Sequence, residues 1–179
     1  MKITGDWLTH SGTQFLCEVL EAAGHKALFV GGCVRNALLG VPVADVDIAT
    51  DAPPTEVTHL AEAAGLRVVP TGFEHCTVTV IADGRPHEVT TFRRDVETDG
   101  RRAVVAYARD IAEDAARRDF TMNALYAEAS GAVLLMVMAL LSTLPVAGAG
   151  TVLSLGIFAL AWAWLRGRDS LQLPEKLAA

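Results

Sequence analysis

Cysteine is scarce in this chain: Cys17, Cys33 and Cys76 are the only three among 179 residues. Odd in number and widely spaced, they exclude a disulfide framework and a cysteine zinc site, and a reducing, cytoplasmic setting is expected. Positive charge is also short, with a formal net charge of −6. That excludes a simple basic coat for nucleic acid. The deficit is uneven. Residues 1–130 carry 12 basic and 19 acidic side chains, and residues 131–179 carry 3 and 2. Eight of the ten arginines before residue 130 fall between Arg85 and Arg118, so a local cationic surface is expected there. An apolar leader is missing too. Lys2 opens a mixed segment, and no signal peptide is expected. The last absence is charge of either sign: none occurs in the 37 residues from Ala129 to Leu165.

What is present alternates between two periodicities. Residues 12–24 place Phe15, Leu16, Val19 and Leu20 on one helical face and close on Gly24. Residues 27–31 read as a buried strand, 34–39 as a short helix, and "ADVDIAT" (44–50) as a strand whose Val46 and Ile48 alternate with Asp45 and Asp47. Residues 52–65 open on prolines and end on glycine, as helices do. "LRVVP", "CTVTVIA" and "RPHEVTTF" are strands, the last two joined by a hairpin at Asp83-Gly84. Residues 95–102 read as a polar loop, "ARDIAEDAARRDF" as a charged helix, and "NALYAEASGAV" as a hairpin turning at Ser130-Gly131. Helices alternating with strands, one hairpin among them, predict an α/β domain with a mixed sheet.

Three stretches carry chemistry. In "FVGGCVRNALLG" (29–40) a strand runs into Gly31-Gly32, with Arg35 on the first helical turn. Such a bend offers backbone N–H groups at a helix N-terminus as a seat for phosphate, with a guanidinium beside it; it also serves any tight strand-to-helix turn. Asp45 and Asp47, two residues apart on a strand, project together roughly 6–7 Å apart at Cα. Paired carboxylates repel unless a cation lies between them, and magnesium is the natural occupant; most Asp-x-Asp pairs, however, are solvated turns. Glu88, on the strand of "HEVTTF", reads either as a third carboxylate for a metal or general base, or as an edge-strand glutamate in water. Arg93, Arg94 and "RRDFTMNAL" (117–125) fit phosphate contacts, or solvated loop and helix-end charges.

Taken in order and spacing, "FVGGCVRNALLG", "DVDIAT", "PTGFEHCTVTV", "HEVTTFRRDVETDGRRA" and "EDAARRDFTMNALYA" resemble the head domain of class II (bacterial-type) CCA-adding tRNA nucleotidyltransferases and related poly(A) polymerases. The resemblance implies a fold similar to the DNA polymerase beta nucleotidyltransferases: over residues 1–130, a mixed, roughly five-stranded sheet with flanking helices. It implies that Gly31, Gly32 and Arg35 hold an incoming triphosphate. Asp45 and Asp47 would bind Mg2+ and serve catalysis, with Glu88 beside them. Arg118, Asp119 and Asn123, with Arg93, would contact the nucleotide's sugar and phosphates. The implied reaction is attack of a tRNA or other RNA 3′-hydroxyl on the α-phosphate of CTP or ATP. The alternative is a nucleotide- and metal-binding remnant with little turnover.

Three departures from the family's pattern stand out. Asn36 replaces a common aspartate, and Cys76 replaces a common glycine after a histidine. The third is larger: the family's helical neck and body, with a base-selecting Glu-Asp-x-x-Arg, should follow the hairpin. Here that spelling, Glu113-Asp114-Ala-Ala-Arg117, lies inside the head and reads as coincidence. A truncated enzyme is expected. Residues 131–179 read instead as an apolar helical hairpin. Its arms, 132–144 and 151–165, are shorter than the roughly 20 residues that cross a bilayer. A membrane contact through 132–165, either a re-entrant hairpin with Trp162, Trp164, Arg166 and Arg168 at the interface or a kinked span through Pro145, is expected over a buried helical pair. "LLSTLPVAGAGTVLSLGIFALAWAWLRGRDSLQLPEKL" resembles the end of exopolysaccharide-synthesis membrane proteins, suggesting a fusion.

Overall fold

A computed structural model of the chain describes residues 2–72, 75–99, 102–118 and 123–134. All of them belong to the first of the two units into which the chain divides, Met1–Ser142. Of the expected apolar hairpin only 132–134 are described, and there the expected helix is instead β-structure, Ala132 bridging Lys2 and Val133–Leu134 pairing in the sheet; the rest, and the membrane contact, lie outside the described residues. Among those described, no helix is long and apolar enough to cross a membrane.

The elements follow the periodicities of the sequence. In order they are α1 (Asp6–Thr9), α2 (Ser11–Ala22), β1 (Leu28–Val30), α3 (Gly32–Leu39), β2 (Asp47–Thr50), α4 (Pro54–Ala63) and β3 (Arg67–Val69). There follow β4 (Thr77–Ala82), β5 (Arg85–Thr91), β6 (Arg93–Asp99), β7 (Arg102–Tyr107), α5 (Ile111–Ala116), β8 (Tyr126–Glu128) and β9 (Val133–Leu134). Pro54 opens α4, where its missing N–H costs nothing. Asp110 caps α5 through a hydrogen bond from the Ala112 N–H.

Seven strands form one mixed sheet in the order β3-β4-β5-β2-β1-β8-β9. The expected number was about five. That number follows from the family resemblance; the strand-like stretches of the sequence, "LRVVP" over β3 and the hairpin at Ser130-Gly131 over β8 and β9 among them, already account for all seven. A second correction concerns residues 95–102. Residues 95–99 and 102 belong to an antiparallel ribbon, β6 with β7, whose register shifts between Asp95 and Glu97. Five of the eight residues 95–102 are charged, so no apolar alternation marks that stretch.

Only β2 and β5 run parallel; every other neighbouring pair is antiparallel. The two faces of the sheet are dressed differently. On one, α2 and α4 pack against each other and against β4 and β5, over Ile48, Val78, Val80, His87 and Val89, all essentially buried. Phe29 turns toward this side and meets Trp7 of α1 edge-on, with centroids 5.1 Å apart. Gly12 permits the close approach of α2: a Cβ there would stand 2.5 Å from the carbonyl oxygen of Ala82. The opposite face carries Leu28, Val30, Ala49 and Tyr126, covered by Phe92, Ala115 and Ile111. That cover stops short of Asp47 and Glu88, and the uncovered part of this face is where the candidate site lies.

Candidate active site

Register brings the pieces together. β1 pairs antiparallel with β2, Leu28 opposite Ala49 and Phe29 opposite Ile48. The C-terminal end of β1, where the chain enters Gly31-Gly32, therefore lies beside the first residue of β2, Asp47. Cys33, on the first turn of α3, stitches the two: its thiol hydrogen-bonds the Val30 carbonyl at 3.3 Å and approaches the Asp47 carbonyl at 3.8 Å. On the other side of β2 the parallel register sets Asp47 directly opposite Glu88. Directly opposed residues share a sheet face, so the two carboxylates stand on the same side.

Asp45 does not lie on the strand as expected, since β2 begins at Asp47. The alternation nevertheless extends backwards through the preceding segment: Val46 is buried and Asp45 exposed. Burial raises the Asp47 carboxyl above the usual carboxylate range, and the charges of Glu88 and then Asp45 raise it further; the cation of Arg118 pulls the other way. Three carboxylates thus feel one another across a small area. Among the described residues no group of three His, Cys, Asp or Glu side chains closes on a single metal position. Two aspartates suit magnesium, which keeps waters and shares phosphate oxygens.

Gly31 takes φ 72° and ψ −122°, a conformation that side chains resist, and it serves as the N-cap of α3. Its N–H is bound by the carbonyl of Leu125 at 3.0 Å. Next to it, a Cβ on Gly32 would touch only the Arg35 guanidinium, at 3.8 Å. Among the described residues, the space beside Gly32 is thus bordered by a cation. Arg35 donates from Nη1 to Asn123 Oδ1 at 2.8 Å and, through Nε and Nη2, to Asn36 Oδ1 at 3.2 Å. Asn123, expected at the nucleotide, is thus held beside the Gly31-Gly32 bend.

Arg118 is fixed less simply. Its Nε donates to Asp114 Oδ2 at 2.9 Å and to the Tyr126 hydroxyl at 3.1 Å, and Nη2 lies 2.9 Å from the same Asp114 oxygen. Its guanidinium carbon stands 5.6 Å from the centre of the Tyr126 ring. Arg117 Nε also donates to Asp114, at Oδ1. Arg93 contributes its backbone N–H to Asp114 and a guanidinium N–H to the His75 carbonyl, while its Nε is buried without a partner among the described residues. Asp119 lies outside the described residues. The sequence reading passed over Asp114 and Tyr126, because a carboxylate in a charged helix looks solvated. The signal was present in the spacing: arginines three and four residues after Asp114 share its helical face.

Glu113 and Asp114 do not point together at anything. Glu113 is about half exposed and lies 3.7 Å from Arg94, whereas Asp114 is fully buried. Neighbours on a helix diverge by about 100°, so this pair does not present two side chains to one base.

Residues 27–138 match the family described as Poly A polymerase head domain. The chain belongs to that family. Against curated relatives the head domain is 49% identical over 121 residues to the CCA-adding enzyme of Lactiplantibacillus plantarum, a match covering 66% of this chain and 29% of the relative. Among solved structures it is similar to the CCA-adding enzyme of Bacillus stearothermophilus in complex with CTP, with TM-score 0.60, 38% identity, and coverage of 69% of this chain and 28% of that one. It is also similar to a tRNA nucleotidyltransferase complexed with a primer tRNA and an incoming ATP analog, with TM-score 0.51, 29% identity, and coverage of 66% and 33%. The chain thus spans less than a third of the curated relative's length. Residues 106–179 match a second family, exopolysaccharide synthesis, ExoD, overlapping the head-domain match over 106–138 and covering less than half of the chain.

Proposed function

We propose that this head domain is the catalytic part of a template-independent nucleotidyltransferase that adds CTP- or ATP-derived nucleotides to the 3′ end of tRNA or a similar RNA. The carrying observation is the convergence of Asp47, Glu88 and the Gly31-Gly32 bend on one uncovered sheet face, with Asp45 alongside. Two further supports come from relatives: a CCA-adding enzyme similar to this chain was solved with CTP, and a tRNA nucleotidyltransferase with a primer tRNA and an ATP analog.

In this reading the backbone N–H groups opening α3, together with Arg35, receive the triphosphate. Arg118, Asn123 and Arg93 bound the sugar and phosphate side of the same space, and Asp119 belongs to the same motif. Asp45 and Asp47 would hold Mg2+, whose chemistry is to neutralise charge gathering on the phosphates. Glu88, facing Asp47, lies where a base for the RNA 3′-hydroxyl is needed. That oxygen attacks the α-phosphate and pyrophosphate departs. Positioning supplies much of the rate in phosphoryl transfer.

Incubation with labelled CTP or ATP, Mg2+ and tRNA lacking its 3′ end tests the reading. Incorporation that disappears in Asp47→Asn supports the enzyme. Binding of CTP that disappears in the same variant, without incorporation, supports a nucleotide-binding head with little turnover. No binding of either nucleotide overturns both.

A further inference from the structure

We propose that Asp114 is a positioning residue, whose buried carboxylate aims Arg118 at the phosphate side of the site. The proposal rests on the nucleotide-binding reading above and extends it to a residue outside the site itself.

The case begins with an energetic oddity. Asp114 is fully buried, and burying a charge costs several kcal/mol per ion before its partners repay it. A buried ion pair is often no more stabilising than an apolar group of the same volume, so stability alone does not explain this one. Its partners show what else it does. Oδ2 receives Arg118 at two guanidinium positions and the Tyr126 hydroxyl at 2.6 Å, and Oδ1 receives Arg117 and the Arg93 backbone N–H. Burial alone would raise the Asp114 carboxyl, yet Arg118, the Tyr126 hydroxyl and Arg117 hold it below the usual range. It therefore stays ionised, with two cations and a phenol arranged around it.

Arg118 is the member that matters for the site. An arginine on a free surface spreads over many rotamers, and ordering it on ligand binding consumes affinity. Here Asp114 and Tyr126 fix Nε and Nη2, and the Tyr126 ring lies beside the guanidinium. The mounting is also tied to the phosphate seat. Tyr126 is the β-sheet partner of Val30, the residue before Gly31-Gly32, and the Gly31 N–H is held by Leu125, the residue before Tyr126. One rigid unit thus carries the diglycine bend and, through Asp114, the orientation of Arg118.

The test is a double-mutant cycle on nucleotide binding in the full chain. CTP affinity is measured with Mg2+ by calorimetric titration at low temperature, for wild type, Asp114→Asn, Arg118→Ala and the double variant, with melting temperatures recorded in parallel. If Asp114 acts through Arg118, Asp114→Asn weakens CTP binding by roughly 10- to 100-fold in the wild-type background, the scale of a hydrogen bond to a charged group. In the Arg118→Ala background the same change does little, because the residue it positions is gone. A purely structural Asp114 lowers the melting temperature but leaves the affinity of the folded protein unchanged, or gives the same loss in both backgrounds; either result overturns the proposal. Should Asp114→Asn fail to fold, Tyr126→Phe removes one fixing contact while keeping the ring, and the same Arg118-dependent loss, roughly threefold or more, is expected. Wild type that binds no nucleotide sinks the functional reading itself and this proposal with it; a flat cycle on a binding wild type sinks this proposal alone.

Discussion

Arg35 and Asn123, 88 residues apart in sequence, are joined by a 2.8 Å hydrogen bond from guanidinium Nη1 to amide Oδ1. The contact clasps the start of α3 to the segment that leads into β8, across the bend proposed to seat a triphosphate. Asn123→Ala removes the acceptor and is expected to cost about 1 kcal/mol of stability. Asn123→Asp is the sharper test: it keeps an acceptor for Arg35 but adds a negative charge where phosphate is to bind. Stability close to wild type with CTP affinity reduced by roughly tenfold or more is expected. Unchanged affinity in Asn123→Asp would remove Arg35 from the phosphate seat.

Asp47 supplies a second prediction, on stability against function. Its carboxyl is raised in the folded state, chiefly by burial and then by Glu88 and Asp45. A raised group binds its proton better folded than unfolded, so the stability it contributes is present at low pH and lost as pH rises through its folded value. At neutral pH the ionised Asp47 therefore strains the metal-free protein. Asp47→Asn should melt higher than metal-free wild type. Added Mg2+ should raise the wild-type melting temperature at pH 7.5 more than at pH 5, and leave the variant unmoved.

His87 predicts the opposite slope. It is fully buried, with Nε2 2.8 Å from Thr13 Oγ1 and Nδ1 without a partner among the described residues. Burial is the main cause that holds it below the ordinary histidine range. The unfolded chain takes up a proton near pH 6.5 and the folded one does so only at lower pH, so stability falls as pH drops below about 6.5. The loss is expected to reach up to about 1.4 kcal/mol per pH unit between the two values. Urea unfolding of wild type and His87→Gln between pH 7.5 and pH 5 checks it: the variant should lose less over that range.

Cys76 adopts φ 60°, a left-handed conformation that glycine takes freely and other residues at a cost of about 1–2 kcal/mol. Its side chain is buried, so removing it also costs packing. The two effects separate in a pair of variants. Ordinarily alanine is at least as stable as glycine; here Cys76→Gly should exceed Cys76→Ala by about 1 kcal/mol. The reverse order in thermal unfolding would mean that the turn does not hold this conformation.

The main elements, and much of the site, were legible in the chain. Val46 and Ile48 alternate with their aspartates, and Asp83-Gly84 turns the hairpin between β4 and β5, both residues at positive φ. The positive φ of Cys76 likewise fits the glycine that the resemblance leads one to expect there. What the chain concealed was of two kinds. The first strand of the β6–β7 ribbon has no apolar period, since five of its seven residues are charged. Asp114 looked like one more solvated charge, because whether a helix face is wet or buried depends on what lies over it, here Tyr126, Arg93 and Phe92 from elsewhere in the chain. Asp45, one of the plainest signals, was assigned to the strand itself, although β2 begins two residues later.

The place of β1 in the sheet orders the birth of this site. Leu28 pairs with Ala49 on one side and Glu128 on the other. Chains emerge from the ribosome N-terminus first, so the acidic pair opposed across β2 and β5 becomes possible once the segment ending at Thr91 has emerged. The clasp onto Arg35 and the arginine mount of α5 and β8 must wait for some 35 further residues. For that interval of synthesis the nascent domain is half built: its anionic strands are joined, its cationic rim holds Arg35 alone, and β1 offers a bare edge to whatever strand arrives first.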